Sequence, residues 1–142
     1  MCDFCELSVW RDQMIYIDDT VMILYPRKPL IFGHVLVLPA RHVEFFHELE
    51  DREIVAMKNS VTRLVIAFEK SLDLKGYNIF TNNGTQVGQS VPHVHWHVFL
   101  RSLDEIHSPY DILNGKYPRE NLDFLSDEWK ARKTKLTLLF LK

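Results

Sequence analysis

The stretch "PHVHWHVFL", residues 92–100, restricts the possible folds more than any other part of the chain. Histidines at 93, 95 and 97 alternate with Val94, Trp96 and Val98. A period of two belongs to a β-strand, whose successive side chains point to opposite faces. The pattern therefore predicts a strand over 94–100 with the three histidines sharing one face and the apolar residues the other. Histidines two apart stand about 7 Å from each other along such a strand, too far to bond directly but close enough to surround one substrate group. The apolar face needs another layer to cover it.

A covering layer is present in the sequence. From Glu48 to Ser71, apolar residues Ile54, Met57, Val61, Leu64, Val65 and Phe68 recur at three and four, and Glu48, Glu50, Asp51 and Glu53 crowd the beginning. This predicts one long amphipathic helix whose acidic first turn complements its dipole. Gly76 is expected to end it. Short apolar runs at 14–18 and 21–25, parted by Asp18, Asp19 and Thr20, read as a hairpin, and strands are expected at 34–38 and 77–81. Strands in sequence around one helix predict an α+β fold, an antiparallel sheet of about five strands with one long helix. The 142 residues, 46% of them hydrophobic, suit one core.

A formal net charge of −2 gives no basic footprint for duplex nucleic acid, so an anionic ligand must be held by local geometry. No apolar run reaches the length of a membrane span, and "MCDFCELSVW" lacks the basic start and apolar stretch of a secretory signal, so a cytoplasmic protein with no membrane partner is expected. The two cysteines, Cys2 and Cys5, stand too close to staple a fold and point to metal or redox chemistry in a reducing compartment.

The histidine row admits three readings. It is a solvated strand face, a catalytic zinc site of the three-histidine type, or a nucleophilic centre acting on phosphorus, in which one imidazole attacks and others hold phosphate oxygens. Three successive strand positions span too far to meet one ion easily, which weakens the second. The loop "TNNGTQVGQS" just upstream supports the third. It carries Asn82, Gly84, Gly88, Gln89 and Ser90, and glycine-containing loops let backbone N–H groups approach an anion. Taken alone, the same loop also reads as an ordinary turn.

"HVHWHVF" resembles the signature of the histidine triad family, and "GQSVPHVHWHV" resembles its phosphate loop and active strand together. "RKPLIFGHVLVLPARHVEFFHEL" is similar to the segment ahead of the helix in the branch of the dinucleoside polyphosphate hydrolases. The resemblance covers roughly residues 1–101 and implies the family's fold over 1–105, with 106–142 as a C-terminal extension carrying a helix, packed on the domain or on a dimer partner. It implies a nucleotide hydrolase or nucleotidyl transferase in which His95 attacks the α-phosphorus and His97 binds the phosphate and helps the leaving group depart. His34 orients the nucleophile; it also reads as a strand-start histidine bonded to backbone. Asn82, Gly88, Gln89 and Ser90 surround the phosphate oxygens. A nucleoside phosphoramidate is the alternative substrate to a dinucleoside polyphosphate, and a nucleotide-binding signalling adaptor is the alternative of another class.

The resemblance further implies a homodimer. It also completes the cysteine pair: Cys2 and Cys5 have the spacing of half a zinc site, and His42 and His93 occupy the positions that finish a four-ligand structural zinc. A redox pair and free surface thiols are the other readings of the cysteines. The family's polar contact to the ribose falls on Pro26, which has no side-chain acceptor. Leu24 and Pro26 are expected to wall the base pocket, although Leu24 in such an apolar run also reads as simple core. Beyond residue 105, Ser126 reads as the cap of a helix, and the cluster Lys130, Arg132, Lys133 and Lys135 as its solvated face, with a nucleotide-tail contact or a membrane-surface role as the other readings.

Overall fold

In the computed structural model, which describes residues 2–142, five strands form one antiparallel sheet. They are β1 (Met14–Ile17), β2 (Val21–Leu24), β3 (His34–Pro39), β4 (Leu74–Phe80) and β5 (Trp96–Ser102), ordered β1-β2-β3-β5-β4. The last strand in sequence is thus inserted between β3 and β4. That insertion sets His97 opposite Leu36 of β3 on one side and Phe80 of β4 on the other.

Alternation divides the sheet into two faces. Val21, Ile23, Val35, Val37, Val98 and Leu100 pack against one face of helix α2 (Asp51–Ser71) through Met57, Val61, Leu64 and Phe68. Burying each such side chain contributes about 1.5–3 kcal/mol. The same core holds Trp129, Leu136 and Phe140 of a C-terminal helix, α4 (Asp127–Leu141). Ser126 accepts a hydrogen bond from the Trp129 N–H at 3.2 Å, as its cap pattern predicts. Trp129 is fully buried, and its indole N–H donates to the Pro26 carbonyl at 3.0 Å, tying α4 to the β2–β3 connection. Arg132 is not a solvated cation of that helix: its side chain is 16% exposed and lies between Glu120 and Glu128.

The opposite face carries Met22, Leu24, Leu36 and Leu38, covered at the β2 side by Phe4 and by Val9 of a helix α1 (Leu7–Gln13) that the sequence did not signal. Over β5 and β4 this face carries His97, Phe99 and Phe80. A short helix α3 (Pro109–Leu113) closes the far side, Ile112 packing near Leu30, Ile31 and Phe99.

Four sequence expectations shift. The long helix starts at Asp51, because Glu48 belongs to a separate single turn, Phe46–Glu48, and Glu53 reaches back to the Glu50 N–H at 2.8 Å to begin the real helix. It ends at Ser71 with Leu72 as cap, and Gly76 lies inside β4 at a register shift. The fourth strand begins at Leu74 rather than 77, since its alternating exposure extends to the Asp73 turn. The final strand begins at Trp96, so His93 and His95 precede the ladder and only His97 is within it. No helix among the described residues is long and apolar enough to cross a membrane.

Candidate functional site

Gly33 determines how closely β3 approaches β5. Its carbonyl accepts from the Leu100 N–H at 2.9 Å, and a Cβ at this position would overlap the Leu100 carbonyl oxygen. The close approach delivers His34, the next residue, to the cleft face of the sheet. His34 pairs with Phe99 in register and His97 pairs with Leu36, which makes the two histidines diagonal neighbours on one face. Their rings meet: His34 Nε2 is 3.0 Å from His97 Nδ1.

Hydrogen bonds fix the tautomers. The Leu30 N–H donates to His34 Nδ1 at 3.1 Å, so the neutral ring carries its proton on Nε2 and donates it to His97 Nδ1. The proton of neutral His97 then sits on Nε2, free to donate to a ligand oxygen. His95 is set differently. Its Nδ1 lies 2.9 Å from the His93 carbonyl, which can only accept, so Nδ1 is the protonated nitrogen and Nε2 keeps a bare lone pair. The neighbouring rings of His95 and His97 are 4.9 Å apart, nearer than the strand repeat alone gives, because His95 lies outside the ladder.

Burial holds these rings neutral. It pushes His97 down to about 4, with the charge of His95 as the second cause. It lowers His34 well below the ordinary histidine value, with His97 and then Arg119 adding to the effect. His95 is lowered by burial as well, against the opposing pull of the His93 carbonyl. Phe80 stacks on His97 at 4.7 Å and Phe4 meets His95 edge-on at 5.1 Å, which supplies the apolar surroundings.

The three rings line a cleft of about 580 Å³ together with Asn82, Gly88 and Ser90, a size suited to a nucleotide-sized ligand. Gly88 has φ +107, a conformation natural to glycine, and its carbonyl accepts from Asn82 Nδ2 at 3.4 Å. Gln89 is not on the cleft. It is buried, donating from Nε2 to the Glu44 carbonyl and accepting the Gly84 N–H, both at 2.8 Å, so it holds the loop shut from behind. Leu24 follows its core reading: it is fully buried under α1, while Pro26 and Leu36 line the apolar wall of the cleft. Asp3, Lys28 and Arg119, none of which sequence reasoning marked, also face the cleft. An exposed charge in an irregular segment leaves no periodic signal.

His93 turns away from the other two. It is fully buried beside Cys2, Cys5 and His42, and the ligand atoms of these four lie within 4.8 Å of one another. His93 Nε2–H donates to the Pro39 carbonyl at 2.8 Å, leaving Nδ1 unprotonated toward the cysteines. From that nitrogen Cys2 Sγ is at 3.4 Å and Cys5 Sγ at 3.6 Å, and Cys5 Sγ is 3.5 Å from His42 Nδ1. A tetrahedron with Zn–S near 2.3 Å and Zn–N near 2.05 Å has N···S edges of about 3.5 Å. The donor set therefore fits a metal such as zinc. Arg41 secures the segment bearing His42 by two hydrogen bonds to buried Glu53, at 2.8 and 3.2 Å.

This arrangement has counterparts among known proteins, and the HIT domain family matches residues 8–103. The chain belongs to the HIT domain family. This HIT domain is 37% identical over 103 residues to an uncharacterised HIT-like protein of Methanocaldococcus jannaschii, covering 71% of this chain and 79% of that one. It is 38% identical over 74 residues to a bis(5'-nucleosyl)-tetraphosphatase of Schizosaccharomyces pombe, covering 52% of this chain and 41% of that one. With an adenosine 5'-monophosphoramidase of the same organism it shares 29% identity over 106 residues, 73% of this chain and 77% of that one. HIT relatives of the chain thus include named hydrolases of nucleotide derivatives. The fold matches that of a histidine triad nucleotide-binding protein of Sulfolobus tokodaii, with a TM-score of 0.75, 18% identity, and 99% and 92% of the two chains covered. A zinc-bound histidine triad protein of Mycobacterium smegmatis gives 0.73 at 22% identity, covering 99% and 93%.

Proposed function

We propose that this HIT domain is a nucleotide hydrolase in which His95 attacks the α-phosphorus of a dinucleoside polyphosphate. The observation that carries the reading is the His95 Nδ1 bond to the His93 carbonyl, because it leaves Nε2 as a neutral nucleophile on the cleft. The Nε2 lone pair forms a bond to phosphorus as the bond to the leaving oxygen breaks, and that oxygen departs with the electron pair. His97 Nε2–H donates to an oxygen of the reacting phosphate, held ready by the His34 proton on its other nitrogen. Water then attacks the nucleotidyl-His95, the P–N bond breaks, its electrons return to Nε2, and a nucleoside monophosphate leaves with release of one proton to solvent. Asn82, Gly88 and Ser90 supply neutral donors at the phosphate, while Gln89 acts from behind them.

Cys2, Cys5, His42 and His93 hold a structural zinc in this reading. All four ligands come from the protein, so the metal lacks an open position and supplies stability rather than chemistry. A homodimer belongs to the same proposal, supported by edge strand β4, where Tyr77 and Ile79 are exposed.

The test is turnover of diadenosine polyphosphates and of adenosine phosphoramidate by the native chain and by His95→Ala. The native protein is expected to hydrolyse at least the first and to yield a nucleotidyl-protein on rapid quench, with both lost in the variant. A native protein that binds nucleotide without hydrolysing either would replace this reading with the adaptor.

A further inference from the structure

The charge on the cleft does not follow the charge of the chain. The chain is net negative, yet Arg27, Lys28 and Arg119 face the cleft against a single carboxylate, Asp3. Arg27 is engaged: its Nε donates to Gln13 and its guanidinium lies 4.9 Å over the Phe124 ring. Lys28 and Arg119 have no carboxylate partner among the described residues. Seven of the eight arginines in the sequence have a hydrogen-bond, ion-pair or ring partner, and Arg119 has none among the described residues.

Arg119 is nonetheless well anchored. Its neighbour Glu120 is bound by Arg132 through two hydrogen bonds, one of 2.9 Å, and Arg132 is held also by Glu128 of α4. The segment then runs along the β2–β3 connection, where Phe124 meets Arg27 and the Trp129 indole N–H reaches Pro26. The backbone next to Arg119 is fixed by ion pairs and packing while its own guanidinium is left uncommitted. Its charge reaches His34, the residue behind His97, where it counts among the causes that keep that ring neutral. Arg119 also lies beyond residues 8–103, so likeness to the family does not supply its role.

We propose that Arg119, with Lys28 beside the same cleft, binds the leaving group's phosphates, so that the chain selects substrates with further phosphates beyond the scissile phosphorus over those whose leaving group is a neutral amine. A planar guanidinium matches phosphate oxygens two at a time, and a bound polyphosphate supplies the anion that the cleft lacks. The inference rests on the hydrolase reading and deepens it: the C-terminal segment reads the leaving group in the chain's own active site.

The experiment compares kcat/KM for diadenosine tetraphosphate and for adenosine phosphoramidate in the native chain, Arg119→Ala and Arg119→Lys, with thermal melting to establish folding. Arg119→Ala is expected to lower kcat/KM for the tetraphosphate about tenfold or more, mainly through KM. The phosphoramidate value is expected to stay within about twofold, Arg119→Lys to recover part of the loss, and the salt dependence for the tetraphosphate to become shallower in Arg119→Ala. Equal losses on both substrates, or no loss on either, would overturn the assignment while leaving the hydrolase reading intact. A native chain that turns over neither substrate would overturn the hydrolase reading itself, and this inference with it.

Discussion

His34 Nε2 and His97 Nδ1 lie 3.0 Å apart on neighbouring strands, and the Leu30 N–H behind His34 decides which of them holds the proton. The bond sets the tautomer of His97 and so the group that His97 offers to phosphate. Replacing His34 with Phe keeps a ring in the site but removes the donor. We expect kcat to fall by about 100-fold in His34→Phe with little change in KM, and His34→Gln, which can donate to His97, to recover part of it. Steady-state kinetics on folded protein checks this; a variant at native kcat would remove His34 from the relay.

The neutral rings give a pH dependence of defined sign. His97 titrates near 4 in the folded chain and about 6.5 when unfolded. Below 6.5 the unfolded chain takes up the proton more readily, so the stability from keeping His97 neutral is complete above 6.5 and is lost as pH falls toward 4. His34 acts in the same direction. Melting temperature should therefore decline from pH 6.5 to 4, and the His97 function should persist well below pH 6.5. A melting curve flat across that window would contradict the burial of these rings as neutral groups.

Metal removal tests the second cluster. Protein purified without a histidine tag should contain about one zinc per chain, and a strong chelator or Cys5→Ser should lower the melting temperature, since structural zinc binding is itself folding free energy. Phe4, between the two cysteines, touches His95. Hydrogen exchange on metal removal should therefore spread from residues 2–13 to the start of β5. Identical melting and exchange with and without chelator would refute the site.

Trp129 links the C-terminal helix to the cleft through Pro26. Trp129→Ala should cost about 3–5 kcal/mol by denaturant unfolding and loosen the wall beside Arg27. A loss below about 1 kcal/mol would mean that α4 is not part of the core.

The sheet was legible because alternation survives in short strands, and α2 because its apolar spacing is regular from Ile54 to Phe68. Its first residue was not, since the acidic run that marks a helix start also supplies the preceding single turn and the Arg41 anchor. Helix α1 escaped because seven residues without a side-chain cap leave too little pattern, and with it went the fate of Leu24, buried beneath a layer that the sequence does not announce. Among the candidate residues, Asn82, Gly88, Ser90, His34, His95 and His97 are brought together on one cleft, and Cys2, Cys5, His42 and His93 at another centre. Gln89 could not be told from its neighbours, because the same amide suits a ligand or the Glu44 and Gly84 backbone. Arg119 could not be found because only the fold shows that its charge is unanswered.

His93 contributes its ring to the cysteine cluster and its carbonyl oxygen to His95. The nucleophile's protonation is thus written in the main chain, where no amino-acid replacement can erase the acceptor. Substitution at 93 alters what the side chain can bind and leaves the neighbouring imidazole its partner, provided that the backbone stays in place. Over generations of sequence change, this centre is consequently more vulnerable to displacement than to replacement. An insertion between His93 and His95, by moving the carbonyl, would cost the chain more than the loss of the ring itself.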